Sequence, residues 1–362
     1  MDRADARRGS PRIDSGSGAS RAVRQRVYGP PDVLEVGTIP TPAPGQGEVL
    51  VRVRAASINA RDWHVMRGEP RLARLLDRRS FGVRGPRVAV RGTDLAGTVE
   101  AVGEGMTRWR AGDHVFGEGT ATLADHAVAP ADQLAALPTG MGFEEAAALP
   151  LAATTALLCL DAADPAPGAS VLLNGASGGV GTFAIQLARS MGLHVTAVVS
   201  SRNKVLADSL GADRVIDYTA DDFTRDGSVY DVVVDLVGNR GLSDLRRAVR
   251  PGGALVLSGG GSSGQGRLIG PLRLLVWGQV YGSIRGLRVL TPQATPGAGL
   301  LARIADLAAS GHIAPASTDA SASRMPQTRS GTWRSTTPAA RWSSPPPRGP
   351  GDRGGGTARA RT

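Results

Sequence analysis

The stretch VLLNGASGGVG at residues 171–181 constrains this chain more than any other. A short apolar strand there runs into four glycines. A helical stretch over 179–191 follows, with apolar Val180, Phe183, Ala184, Leu187 and Ala188 at helical spacing. Strands at 194–200, 214–217, 230–237 and 254–258 come next, with helices at 203–210 and 300–309. Strands alternating with helices form parallel βαβ units, which close into a doubly wound α/β sheet.

Gly175, Gly178, Gly179 and Gly181 are a variant of the Rossmann glycine fingerprint, set where it has meaning, between a strand and a helix. Together with Ala176, Ser177 and Val180 they make a turn of small residues. Such a turn lets the backbone approach a pyrophosphate, and the next helix offers free N–H groups and a positive dipole end. A tight turn with no ligand is the alternative, and the βαβ series downstream speaks against it. An NAD site places an acid at the end of the second strand, to bind the ribose 2′-OH. This chain has Ser200, Ser201, Arg202, Asn203 and Lys204 there. Hydroxyls and cations suit a 2′-phosphate, so the expected cofactor is NADPH. The alternative is that Arg202 and Lys204 only begin a solvated helix face.

Residues 21–150 follow another rhythm. EVLVRVRA at 48–55 alternates apolar and polar, and short runs at 98–102 and 114–117 are punctuated by Gly103, Gly105 and Gly112. A mostly antiparallel β domain is expected there. Residues 1–20 read as a disordered extension. The net charge of +10 raises the question of nucleic acid. Residues 314–362 hold eight Arg and two Asp (+6), and residues 1–20 hold four Arg and three Asp (+1), which leaves +3 for 21–313. The excess charge therefore belongs to a terminal segment without hydrophobic period, and no nucleic-acid partner is expected of the body. The single cysteine, Cys159, excludes an internal disulfide framework and a cysteine-cluster zinc site; it is expected to be a buried small hydrophobe. No run approaches the roughly 20 apolar residues of a membrane span, and the N-terminus has no apolar core. No membrane partner and a cytoplasmic location are expected.

The motifs YGPPDVLEV (28–36), AASINARDW (55–63), GTDLAGTVEAVGEGMTRWRAGDHVFG (92–117), EEAAALPLAATTAL (144–157), NGASGGVG (174–181) and GADRVIDY (211–218) carry a resemblance. Over about 21–315 the chain resembles the medium-chain dehydrogenase/reductase superfamily, and most of all its zinc-free quinone-oxidoreductase, or zeta-crystallin-like, branch. The resemblance implies a GroES-like catalytic domain at 21–150, a Rossmann NADPH domain at 151–290 and a return segment at 291–313. It implies hydride transfer from NADPH to a small-molecule quinone or α,β-unsaturated carbonyl, and a homodimer. Residue by residue, it places Asn59 and Asp62 near the nicotinamide, with Thr155 helping to seat it. Ser200, Lys204 and Tyr218 would surround the 2′-phosphate, and Gly238, Ser258 and Gly259 would border the nicotinamide ribose. Residues 66–87 depart most from the family pattern and are expected to shape the substrate pocket.

Zinc-dependent relatives hold a Cys and a His-Glu pair where this chain has Ser57/Asn59 and Thr93-Asp94, so no metal is expected. Without one, hydrogen-bond donors must stabilise a developing oxyanion, and Asn59 is the candidate. His64 is either a proton donor or a surface residue. Asp62 is expected to orient the loop.

After residue 313 the family pattern stops. It returns when the third base of each codon is read with the first two of the next: residues 325–344 then become AADAIRYLEVDHARGKVVIT. A frameshift near 315–316 is the reading, with 314–362 a disordered basic tail and the last helix and strand of the catalytic domain lost. Two other functions follow from that tail: a cofactor-binding pseudoenzyme, or a nucleic-acid binder acting through its arginines.

Overall fold

The computed structural model describes residues 18–69, 71, 74, 81–82, 85–258, 287–292 and 297–316, and the backbone of 341–343. Alternating burial builds its first unit. β1 (Ala19–Gln25) and β2 (Leu34–Pro40) pair as an antiparallel ribbon. β3 (Glu48–Ser57) is followed by α1 (Ala60–Arg67), β4 (Asp94–Val102), β5 (His114–Glu118), β6 (His126–Pro130) and β7 (Leu134–Ala136). β3 lies between β4 and β6, and β5 joins β4 to β7, all antiparallel. Val49, Val51, Val53, Leu95, Val99 and Val115 form the core of this sheet, each nearly or wholly withdrawn from water.

α2 (Phe143–Ala147) and α3 (Pro150–Ala163) lead out of that unit. Pro150 starts α3 where its missing N–H costs nothing, and nine of the fourteen residues are buried. A helix apolar on nearly every side belongs between layers. α3 packs against β4 and β5 of the first sheet and against β12 of the second.

The second unit comprises β8 (Ser170–Asn174), α4 (Gly179–Ser190), β9 (His194–Val199), α5 (Lys204–Ser209), β10 (Arg214–Asp217), β11 (Tyr230–Asp235), α6 (Leu242–Ala248), β12 (Val249–Leu257), β13 (Arg288–Leu290) and α7 (Ala298–Ala309). Its sheet is parallel, in the order β10-β9-β8-β11-β12-β13. The central strands read as continuous apolar runs, Val171-Leu172-Leu173 and Val232-Val233-Val234, because helices cover both faces. The chain builds outward from β8 to β10, then returns to lay β11 on the other side of β8. That reversal opens the crevice in which such sheets bind ligands, and the glycine turn lies at its mouth. α7 packs back on β7 and α3. Ala314 continues from it, exchanging two 2.9 Å hydrogen bonds with the Gln186 side chain.

Two expectations for the chain ends need correction. Residues 1–20 do not all lie outside the fold, since β1 begins at Ala19 and Ser20 is fully buried, its hydroxyl accepting the His126 N–H at 3.2 Å. Nor is 314–362 wholly without structure. β14 (Arg341–Ser343) pairs antiparallel with β3, Arg341 opposite Ser57 and Ser343 opposite Ala55. β6 covers that side of β3 only as far as Arg52. The Val53 N–H donates to the Asp125 carbonyl at 2.9 Å, and beyond it β14 meets the backbone of Ala55–Ser57, a pairing that a passing segment makes with its own backbone alone.

Candidate active site

The four glycines do different work. Gly175 has φ +89°, and a Cβ there would lie 2.6 Å from a Val237 methyl; Gly181 has no room at all, its Cβ falling 2.4 Å from the Gly175 carbonyl oxygen. Both are required by the chain itself, for the turn and for close packing of α4 on β8. Gly178 and Gly179 are not. Neither has a positive φ. A Cβ at Gly178 would be 3.4 Å from its nearest neighbour, and one at Gly179 would be 3.9 Å from Ala152 Cβ alone. Gly178 caps α4, and the first N–H groups of that twelve-residue helix have no acceptor within it. The turn is thus open on its outer side beyond anything the fold demands. Ala176 is buried beneath it, and Ser177 and Val180 line its half-exposed rim.

Beside the turn, Asp235 ends β11 as a fully buried carboxyl. Its Oδ1 accepts the N–H groups of Val237 and Gly238 at 3.1 and 2.9 Å and the Asn174 amide at 2.9 Å. Asn174 also donates to Asn239 Oδ1 at 3.0 Å. This hub fixes Gly238 (φ +71°) and, through the Ser258 N–H to the Asp235 carbonyl at 3.0 Å, the start of the loop after β12. Burial raises the Asp235 carboxyl, with its three hydrogen bonds opposing. Its Oδ2 has no hydrogen-bond partner among the described residues. Gly259 lies outside the described residues. Asn174 and Asp235 were absent from the expected site; their only signal was a polar residue closing each of two apolar strands.

At the far side of the sheet, Ser200, Arg202 and Lys204 leave the end of β9, and Tyr218 follows β10, half exposed. Arg202 has no ion-pair partner among the described residues. Lys204 has one, contrary to the expectation that no acid stands here. Asp217 ends β10 opposite Val199, and its carboxylate is 3.4 Å from Lys204 Nζ. Spacing along one strand missed it because a parallel neighbour delivers it. Hydrogen bonds from Ser201, then Thr219, hold this carboxyl far below the usual carboxylate range, with a smaller contribution from Lys204.

Asn59 and Asp62 come together on α1. Asn59 is the N-cap, and its backbone N–H donates to Asp62 Oδ2 at 2.8 Å, a reciprocal cap that explains Asp62 without chemistry. The Asn59 side-chain amide reaches Ser57 Oγ at 3.5 Å, and Ser57 in turn donates to Asp94 Oδ2 at 3.2 Å. Asp94 also accepts the Leu151 N–H at 3.1 Å, at the first turn of α3, the helix that carries Thr155. Thr155 itself is half-buried and donates to the Leu151 carbonyl at 2.6 Å. Asp94 is wholly buried and faces Glu118 across the β4–β5 pair. Burial, reinforced by Glu118, pushes the Asp94 carboxyl up to about 7. Burial raises Asp62 and Glu118 as well. His64 is half-buried, its ring edge-on to Trp63 at 5.2 Å. Half of residues 66–87 lie outside the described residues.

Cys159 is buried on α3, where burial pushes its thiol up to about 11 against a hydrogen bond with Ser258. Catalytic zinc takes three protein ligands drawn from thiolate, imidazole and carboxylate. Beside Asp94 the hydrogen-bonded groups are the Ser57 and Thr93 hydroxyls and the amides of Leu151 and, through Ser57, Asn59, with Glu118 the carboxyl opposite it, and neither a thiolate nor an imidazole is among them. No set of three or more His, Cys, Asp or Glu side chains among the described residues could hold a metal. This donor set does not fit zinc. No described helix is long and apolar enough to cross a membrane.

Comparison with known proteins agrees with this fold. Residues 45–153 match the alcohol dehydrogenase GroES-like domain, and residues 179–299 match the zinc-binding dehydrogenase model. The chain is 37% identical over 217 residues to the chloroplast envelope quinone oxidoreductase homolog of Arabidopsis thaliana, covering 56% of this chain and 63% of that protein. It is 34% identical over 257 residues to the quinone oxidoreductase of Pseudomonas aeruginosa, covering 67% of this chain and 74% of that one. Among solved structures, the quinone oxidoreductase from Coxiella burnetii superposes with a TM-score of 0.70 at 26% identity, covering 82% of this chain and 89% of its own.

Proposed function

This chain belongs to the quinone-oxidoreductase-like branch of the medium-chain dehydrogenase/reductase superfamily, and from that membership we propose that it is an NADPH-dependent, zinc-independent oxidoreductase. Its substrate is a quinone or an α,β-unsaturated carbonyl compound, and a homodimer is the expected assembly. One observation carries the coenzyme half of this reading: Gly178 and Gly179 are glycines that neither backbone strain nor packing requires. A pyrophosphate lying against the turn accounts for both.

When bound, the coenzyme supplies the hydride; the chain's own residues supply position and polarity. Gly178, Gly179, Val180 and Gly181 face the pyrophosphate with backbone N–H groups and the helix dipole. Gly238 and Ser258, held by Asp235, border the nicotinamide ribose, and Thr155 supports the ring. Ser200, Arg202, Lys204 and Tyr218 receive the 2′-phosphate.

Asn59 is the donor to the substrate oxygen. Ionised Asp94 draws the Ser57 hydroxyl hydrogen to itself, which leaves a Ser57 lone pair for one hydrogen of the Asn59 amide. That bond fixes which end of the amide is nitrogen and leaves its second hydrogen for the oxyanion. Asp62 anchors the backbone beneath it.

NADPH oxidation followed with a panel of quinones and enones tests the proposal. Oxidation that depends on one of these acceptors is expected. Coenzyme binding without turnover on any of them would make the chain a pseudoenzyme instead.

A further inference from the structure

Asp217 stands at the corner where the adenosine ribose of a dinucleotide belongs, yet it comes from the wrong strand for the usual rule. Strands β9 and β10 end level with one another, Val199 beside Asp217, so the segment from Ser200 to Lys204 starts alongside the Asp217 carboxylate. Two bonds from Thr219, at 3.0 Å from the N–H and 2.6 Å from the hydroxyl, fix one carboxylate oxygen. The other lies 3.4 Å from Lys204 Nζ. Lys204 remains about half exposed, whereas the Asp217 side chain is almost entirely covered. The ammonium can therefore swing away, and the carboxylate cannot.

We propose that Asp217 is a selectivity-determining residue that narrows this protein's preference between the phosphorylated and unphosphorylated forms of the coenzyme. This rests on reading the corner as the 2′-phosphate site. Two effects act in the same direction. A 2′-phosphate must compete with Asp217 for Lys204 and sits in the field of a fixed negative charge. A bare ribose leaves the ion pair intact and brings no charge against the carboxylate. Arg202, unpaired among the described residues, supplies the cation that keeps the phosphorylated form bound.

The test is calorimetric titration of the full chain with NADPH and NADH, repeated with adenosine 2′,5′-bisphosphate and AMP so that the readout does not depend on turnover. The unaltered chain is expected to prefer the phosphorylated member of each pair by no more than about tenfold. Asp217→Asn keeps an acceptor for Thr219 and removes the charge; it should raise the preference about tenfold. Lys204→Ala should weaken the phosphorylated ligands about tenfold or more and leave the others within about twofold. In the Lys204→Ala background, Asp217→Asn should have a smaller effect. If Lys204→Ala weakens binding as expected while Asp217→Asn leaves the preference unchanged, the role of Asp217 is overturned and the corner stands. If Lys204→Ala leaves adenosine 2′,5′-bisphosphate binding unchanged, the 2′-phosphate reading itself fails. Asp217→Ser serves as the second variant should the amide disturb folding. Should neither fold, a wild-type preference above about tenfold overturns the proposal and one below it upholds it.

Discussion

The buried carboxyl of Asp94 accepts the backbone N–H of Leu151 at 3.1 Å, and so ties the first β unit to the helix leading into the second. The same oxygen accepts the Ser57 hydroxyl. One side chain therefore sets both the Asn59 amide and the start of the Thr155 helix, which is why its ionisation matters to both stability and chemistry.

For stability the sign is set by burial. The Asp94 carboxyl is pushed up to about 7 in the folded chain, above its value of 3.8 in a free carboxyl. Between those values the folded state holds a proton that the unfolded state has released. The contribution is complete below about pH 4 and is lost as pH rises through about 7, by up to ~4 kcal/mol. Asp94→Asn should flatten this part of the curve, and Asp62 and Glu118 should keep a residual slope. Urea unfolding at a series of pH values checks it; an unchanged slope in the variant would contradict the assignment.

Replacing the oxyanion donor should cost turnover rather than coenzyme affinity. Asn59→Ala is expected to lower kcat about 100-fold, while the Kd for NADPH stays within about twofold. Ser57→Ala, which frees the amide to turn, should give a smaller loss in the same direction. Steady-state kinetics alongside coenzyme titration separates this from a general loosening of α1, which would lower the unfolding midpoint too.

The terminal segment offers a separate test. β14 places residues 341–343 against Ala55, Ala56 and Ser57, all of them buried. In the shifted reading frame those three positions become Val-Val-Ile, a better match to a buried edge than Arg-Trp-Ser. A chain carrying the shifted frame from residue 316 should melt several degrees higher and turn over faster. Equal midpoints and equal activity would remove the frameshift reading.

What the sequence disclosed, and what it hid, follows from how each feature is encoded. β8 and α4 were legible because a single apolar run meets the glycines, and β10 was placed to the residue because Arg214–Asp217 is bounded by turns. Asn59 and Asp62 share one turn of helix within the single motif AASINARDW, so the resemblance that this motif carries pointed to both. Asp217 and Asp235 escaped because their roles come from neighbouring strands, and the register of a parallel sheet is not written in any one segment. Asp94 appeared only as a position without a zinc ligand. Its partners Ser57 and Leu151 lie 37 and 57 residues away along the chain. The first two residues of β1 and the whole of β14 were missed at the ends, where pairing is carried by backbone groups.

The most direct measurement compares two glycines. Gly181→Ala forces a Cβ to 2.4 Å from a carbonyl oxygen and should destabilise the fold. Gly179→Ala meets nothing closer than 3.9 Å and should leave the fold as stable or raise it by ~0.5–1 kcal/mol, since alanine favours the helix. Calorimetric titration of Gly179→Ala with NADPH then isolates the ligand's need for that space. Affinity at least about tenfold weaker than wild type, in a chain with an unchanged or higher melting point, is the predicted result. Wild-type affinity in that variant would show that no dinucleotide lies against the turn.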